Sequence, residues 1–310
     1  MVDSVPERDD VDRSCFGFRV RSRCLFKFLR AGGGHDALEV VEASKPLTAD
    51  ESTLLAEWTL HDPIRAVTAR LYRMNGIFHF WTNDAAWYRV DPVARVIEMS
   101  TCHDEIRREQ RLWGVPTVLC FMERGDFGLH AAAVEVDGAA ILLAAPGRHG
   151  KTTLALAFHR MGYRLLTEDT TCCRLESKPL LLPGPTSVRL RPDVFTGEPP
   201  VGTNIVSITD DRIHLVLESS RAGDSVPVPL KALVFLRKAS DEIIIEPVKA
   251  STALPDLWSL NFRLQTTIAR SRSFSQLAQL ASAVPLWNLH RPLAITNLDE
   301  VVSRIVETCR

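Results

Sequence analysis

Between Ala139 and Thr153 an apolar run ending in Leu142-Leu143-Ala144-Ala145 gives way to Pro146-Gly147-Arg148-His149-Gly150, then to Lys151-Thr152-Thr153. Residue types in this order suit phosphate chemistry. Backbone N–H groups of such a loop, together with the positive end of a following helix, form an anion site. Lys151 would reach the outer phosphates of a nucleotide, and the Thr152 hydroxyl would hold Mg²⁺. The expected nucleotide-binding set is therefore Ala145, Pro146, Gly147, Arg148, His149, Gly150, Lys151, Thr152 and Thr153. One position departs from G-x-x-x-x-G-K-[ST], where a glycine is usual and Ala145 stands. Alanine there would oppose a positive φ at a cost of about 1 kcal/mol.

Two acids sharpen the reading. Glu168 and Asp169 close the short apolar run Tyr163-Arg164-Leu165-Leu166 that follows the loop's helix. In an open α/β sheet the carboxyl ends of strands face the ligand, so both carboxylates can look toward the terminal phosphates. One can hold Mg²⁺ while the other takes a proton from an attacking hydroxyl. A solvated acidic turn is the plainer alternative. His130 opens the strand before the loop strand, where a lone histidine is more often a core or edge residue. His149 lies inside the loop as a phosphate contact or as filler.

The elements that must position these residues follow from periodicity and punctuation. Strands at 129–136 and 139–145 turn through Asp137-Gly138, a hairpin signal. A helix is expected from Thr152 to Met161, capped by Gly162, then strands at 163–166 and 170–175. Further strands are expected within 180–191 and at 213–217, 230–236, 242–247 and 285–289, with helices at 264–283 and from Asn297. Upstream, residues 1–14 read as a disordered acidic tail without signal-peptide character. The segment 15–30 carries Arg19, Arg21 and Arg23 on one side and reads as a solvated edge strand. A helix at 49–58, strands at 77–82, 86–90 and 94–99, and a helical stretch over 104–123 broken near Gly114 and Pro116 complete it. The aromatic residues Phe78, Phe80, Trp81, Trp87 and Tyr88 read as the core of a small sheet.

Bulk properties narrow the class. A formal net charge of −1 over 310 residues gives no electrostatic reason to expect nucleic acid or an anionic membrane as partner. The longest apolar run is too short to span a bilayer. Seven irregularly spaced cysteines make neither a disulfide framework nor a zinc pattern and read as buried small hydrophobes in a reducing cytoplasm. Three parts are expected: the tail, an N-terminal α+β lobe (15–123) that helps choose the substrate, and a phosphate-loop domain (124–310). The fold class is α/β, a mixed sheet flanked by helices.

Three runs together resemble the HPr kinase/phosphorylase superfamily, most of all its divergent HPr kinase-related branch. They are Gly128-Leu129-His130-Ala131-Ala132-Ala133-Val134, the loop Ala145 to Thr153, and Gly162 to Asp169. A weaker match continues through Pro183 to Arg191 and Pro229 to Leu236. The resemblance implies an ATP-dependent kinase that uses Mg²⁺, with a fold like the family's C-terminal domain. It implies Asp169 as general base, Lys151 as phosphate-binding lysine, Thr152 and Glu168 at the metal, and His130 near the transferred phosphoryl. Arg189 is the candidate for a further charge-stabilising cation. The acceptor implied is a hydroxyl of a peptide, protein or metabolite, in an assembly of more than one copy. A catalytically reduced nucleotide-binding regulator, or a plain NTPase, are the competing expectations, raised by Ala145 and by Glu168 where two aspartates are frequent.

Overall fold

The computed structural model of the protein describes residues 12–61, 66–145, 149–195, 197–218, 224–237, 240–293 and 295–310. The first half is dominated by one sheet: β1 (Arg13–Cys15), β2 (Phe18–Ser22), β3 (Arg30–Ala31), β4 (Asp36–Glu42), β5 (Thr53–His61), β6 (Ala66–Met74), β7 (Ile77–Thr82), β8 (Trp87–Asp91) and β9 (Val96–Met99). Their spatial order is β3-β1-β2-β4-β9-β8-β7-β6-β5. Helices α1 (Glu105–Leu112) and α2 (Val115–Glu123) follow, separated at Gly114, with Pro116 in the first turn of α2, where a missing N–H does no harm. Leu112, Trp113, Val118 and Phe121 pack with Phe78, Phe80 and Tyr88 of the sheet.

Three expectations are corrected here. Residues 53–61 are the strand β5, not part of a helix, because their apolar and polar positions alternate against β6 through a bulge near Leu54. The arginine-rich β2 is not an edge: β1 pairs on one side and β4 on the other. Its arginines sit on a face the sheet leaves partly open, while Phe18 is fully buried beneath the Arg124 guanidinium, 4.0 Å from the ring. Arg13 and Ser14, placed in the tail above, belong to β1.

The second half holds a mixed sheet of β10 (Phe127–Leu129), β11 (Ala131–Val136), β12 (Ala139–Ala144), β13 (Arg164–Thr167), β14 (Thr171–Arg174) and β15 (Leu180–Leu182), joined by later strands. Helix α3 (Lys151–Arg160) connects β12 to β13. Strands β16 (Ser187–Leu190), β17 (Thr203–Ile208) and β18 (Ile213–Leu217) form a separate three-stranded sheet. Then come β19 (Val228–Leu236), β20 (Ile244–Pro247), helices α4 (Ala250–Leu260) and α5 (Thr267–Ala283), β21 (Leu286–His290) and α6 (Leu298–Thr308). The mixed sheet runs β10-β14-β15-β19-β12-β11-β13, with β21 parallel to β19 and β20 antiparallel to β21. Both faces are covered. Ile141 and Leu143 of β12 pack with α3, α6 and the three-stranded sheet, whereas Ala140, Leu142 and Ala144 pack toward α4 and α5. Helix α4 was not expected, since Pro255 interrupts its sequence signature.

The hairpin turn is as the dipeptide requires. Asp137 has φ 51° and Gly138 φ 76°, the paired positive values that match strand twist. The seven cysteines are all free; Cys172 and Cys173 face opposite cores, while Cys24 and Cys102 are half-buried. Among the described residues, no helix is long and apolar enough to cross a membrane.

One buried side chain ties the two halves together. Arg30, 2% exposed, donates from Nη2 to the carbonyls of Leu165 (2.9 Å) and Leu166 (2.8 Å), and from Nε to that of Gly184 (2.7 Å). Burial lowers its pKa to about 10. Replacing Arg30 with methionine strips a charged donor from three carbonyls and is expected to destabilise the protein by about 2 kcal/mol. An unchanged urea midpoint would show that the anchor carries no such weight.

Candidate active site

Strand register brings the singled-out residues to one edge. Strand β11 runs antiparallel to both β12 and β13, so β12 and β13 point the same way and end side by side with the start of β11. Ala131 pairs with Ala144, which sets His130 opposite Ala145, and Ala133 pairs with Thr167, which brings Glu168 and Asp169 to the same edge. No local signal announces this convergence; it follows from two antiparallel pairings around one strand.

Of the loop residues, Pro146, Gly147 and Arg148 lie outside the described set. Ala145 is buried in the core and does not have a positive φ, so its backbone does not demand glycine. The position that calls for glycine is Gly150, with φ 72°, at the N-cap of α3. A side chain there would also press on Arg291, whose Nη2 lies 2.5 Å from where a Cβ would stand. Helix α3 has no side-chain cap, so its first turn offers N–H groups to whatever occupies the cleft lined by Gly150, Lys151, Thr152 and Thr153. His149 is half-buried beside this turn.

Lys151, 6% exposed, points its ammonium at His130 Nε2 (2.7 Å) and the Ala145 carbonyl (3.4 Å). The opposite ring nitrogen of His130, Nδ1, faces Asp169 Oδ1 at 3.4 Å. An ammonium can only donate, so Nε2 is the acceptor and Nδ1 carries the proton. Arg189, on β16, donates from Nη2 to Asp169 Oδ2 at 2.6 Å, and its Nε stands 3.9 Å from Glu168 Oε2. The Thr152 hydroxyl donates to Glu168 Oε1. The structure thus brings together Ala145, His130, Lys151, Thr152, Glu168, Asp169 and Arg189.

Electrostatics divide the two carboxylates. Burial pushes the Glu168 carboxyl up, and the neighbouring Asp169 charge pushes it further. Asp169 also feels burial, but Arg189, His130 and Lys151 outweigh it and hold the carboxyl far below the ordinary range. Burial lowers both His130 and Lys151, against the pull of Asp169. His130 is therefore neutral at pH 7 and Asp169 ionised.

Thr152 and Glu168 offer one hydroxyl and one carboxylate in contact. That set fits Mg²⁺, which takes one or two carboxylates and fills its shell with water and phosphate oxygens. Among the described residues, no group of three or more His, Cys, Asp and Glu side chains could hold a metal ion by itself.

Several residues of the cleft were not anticipated. Arg107 and Arg111 lie one turn apart on α1 and reach in from the first half of the chain. Arg111 donates to both oxygens of the buried Asp84 (2.5 and 3.2 Å), and Arg107 to Asp211 (2.8 Å). Their i, i+4 spacing was visible, but not the surface they face. His214 of β18 pairs across from Arg189, and burial with Arg189 and Arg107 lowers its pKa to about 4.

The His130 contact makes a pH dependence. As pH falls below the ordinary histidine value of 6.5, a proton on Nε2 would face the Lys151 ammonium at 2.7 Å. Mg-ATP affinity is expected to decline on that acid side and to decline less in His130→Gln, whose amide oxygen still accepts from Lys151. The nucleotide's own titration is common to both proteins, so equal acid limbs would rule out His130 as the titrating group.

No family model and no curated protein matches the chain. Among solved structures, it is similar to the Hpr(Ser) kinase/phosphatase from Coxiella burnetii at 13% identity and a TM-score of 0.31, over 58% of this chain and 94% of that one. A likeness of that degree assigns neither family nor activity.

Proposed function

We propose that the protein is an ATP-dependent phosphotransferase that moves the γ-phosphoryl group to a hydroxyl. One observation carries the reading: two cavities share seven lining residues, among them the charged and titratable side chains singled out above. A cleft of about 460 Å³ is lined by Gly150, Lys151, Thr152 and Thr153, and a second cavity of about 430 Å³ adjoins it. His130, Glu168, Asp169 and Arg189 line both. Two substrate spaces that share one cluster of charged and polar groups suit group transfer.

In this reading the loop residues Ala145 to Thr153 form a phosphate loop. Lys151, the first-turn N–H groups of α3 and Arg189 meet the negative charge of the outer phosphates, where charge stabilisation is the main contribution to catalysis. Thr152 and Glu168 would hold Mg²⁺, which supplies charge neutralisation across the β- and γ-phosphates. Asp169 orients the acceptor hydroxyl and receives its proton. A carboxylate so weakly basic suits a loose transition state, in which the proton leaves late. Neutral His130 fixes the spacing between Lys151 and Asp169 through its two nitrogens.

The tight Asp169–Arg189 pair favours a second reading, a nucleotide-binding regulator with transfer reduced. Calorimetric titration with Mg-ATP separates the outcomes. A saturable single site is expected, and its absence would overturn both readings. Binding without transfer to any hydroxyl would favour the regulator, and steady phosphate release without acceptor a plain NTPase.

A further inference from the structure

The second cavity differs in chemistry from the first. Beyond the shared cluster, Trp58, Ala69 and Phe80 from β5, β6 and β7, Val118 from α2, and Leu260 and Phe262 at the end of α4 give it an apolar and partly aromatic wall, with Thr82, Thr167, Thr170 and Ser187 among the other lining residues. Trp58 and Phe80 stack with ring centroids 6.0 Å apart and planes 24° apart. A second apolar hollow of about 330 Å³ continues from Trp58 and Phe262 toward Leu55 and Leu264. Phe80 is 3% exposed and belongs to the core, as expected for a sheet aromatic, yet it also presents a face to this space. Gln110 and Arg111 line both cavities together with His130, Glu168, Asp169 and Arg189, so the two spaces are joined through polar groups.

We infer that the acceptor is a small alcohol with an apolar, aromatic-sized body, seated among Trp58, Phe80 and Phe262 with its hydroxyl at Asp169. This rests on the phosphotransferase reading and names its substrate class. A volume of about 430 Å³ is that of a small-ligand site. The walls come from both halves of the chain, so the space is a cleft between elements and not a flat surface for a folded protein. In the transfer, the alcohol oxygen forms a bond to the γ-phosphorus as the bond to the β-phosphate oxygen breaks. The hydroxyl proton passes to the Asp169 carboxylate, and ADP leaves with the electron pair. The products are a phosphate monoester and ADP, and no oxidant or reductant is consumed.

The probes are 2-naphthaleneethanol and glycerol, followed by ligand-observed NMR for binding and by phosphate-monoester formation in the presence of Mg-ATP. The naphthyl alcohol is expected to bind saturably and glycerol not to. Trp58→Ala and Phe262→Ala, both at half-buried positions, each remove apolar contact and should weaken naphthyl binding by about tenfold. Having two variants on different elements keeps the test valid if one fails to fold. Naphthyl binding no tighter than that of glycerol, or unchanged in both variants, would overturn the inference. Faster transfer to polar serine peptides than to the naphthyl alcohol would overturn it too. Mg-ATP binding to the wild-type protein is read separately. Its loss with naphthyl binding intact would overturn the kinase reading while supporting an apolar-alcohol site.

Discussion

Replacing Lys151 with methionine is expected to weaken Mg-ATP binding by ten- to a hundredfold and to lower turnover by a further ~10²-fold. The first figure follows from losing a charged hydrogen bond, about 1.5–3 kcal/mol, at tenfold per 1.4 kcal/mol. The second is the usual effect of removing one group aimed at developing charge. The lysine is placed for this work by its own environment. Its ammonium is nearly buried, has lost solvation, and among the described residues donates to His130 and the Ala145 carbonyl. A phosphate would be a better partner than either. Methionine keeps the length and the apolar stem, so the helix start at Gly150 should survive. Calorimetry and steady-state rates check the result; wild-type affinity in the variant would remove Lys151 from the site.

The second large effect is expected at Asp169. Asparagine there keeps the shape and can still orient a hydroxyl, but it cannot accept the proton. Turnover should fall by ~10²–10⁴-fold, the range for a lost general base. KM for the nucleotide should change less than turnover, because the proton is accepted only as the transition state is reached. Asparagine also releases Arg189 from its 2.6 Å ion pair, with Glu168 still 3.9 Å from its Nε. The Glu168 carboxyl should then titrate lower, since a like charge beside it has gone. A variant that turns over as fast as wild type would end the assignment.

Much of this site was legible because its signals are local. Asp137-Gly138 dictates a two-residue turn with both φ values positive, so the β11–β12 hairpin could be drawn from two residues. Gly150-Lys151-Thr152 opens a helix, and Gly162, at φ 90°, closes it. What could not be read depends on pairing between distant segments. That His130 meets Lys151 and Asp169 requires β11 to lie between β12 and β13, which no run of residues states. That Arg107 and Arg111 line the cleft requires α1 to pack across from the three-stranded sheet, far along the chain. Where period and pairing conflicted, pairing won: residues 53–58 have enough apolar positions to resemble a helix turn, but β6 offers eight residues in antiparallel register with β5. Ala145 was weighed as a defect on the assumption of positive φ, and the positive φ lies instead at Gly150.

The central claim is that a phosphoryl group crosses from the Lys151 cleft to a hydroxyl in the apolar cavity under the control of Asp169. The most direct measurement is ³¹P NMR of the protein with Mg-ATP and 2-naphthaleneethanol. Growth of a phosphate-monoester signal matched by ADP, abolished in Asp169→Asn, is the predicted result. Inorganic phosphate alone, or monoester formed equally by the variant, would contradict it.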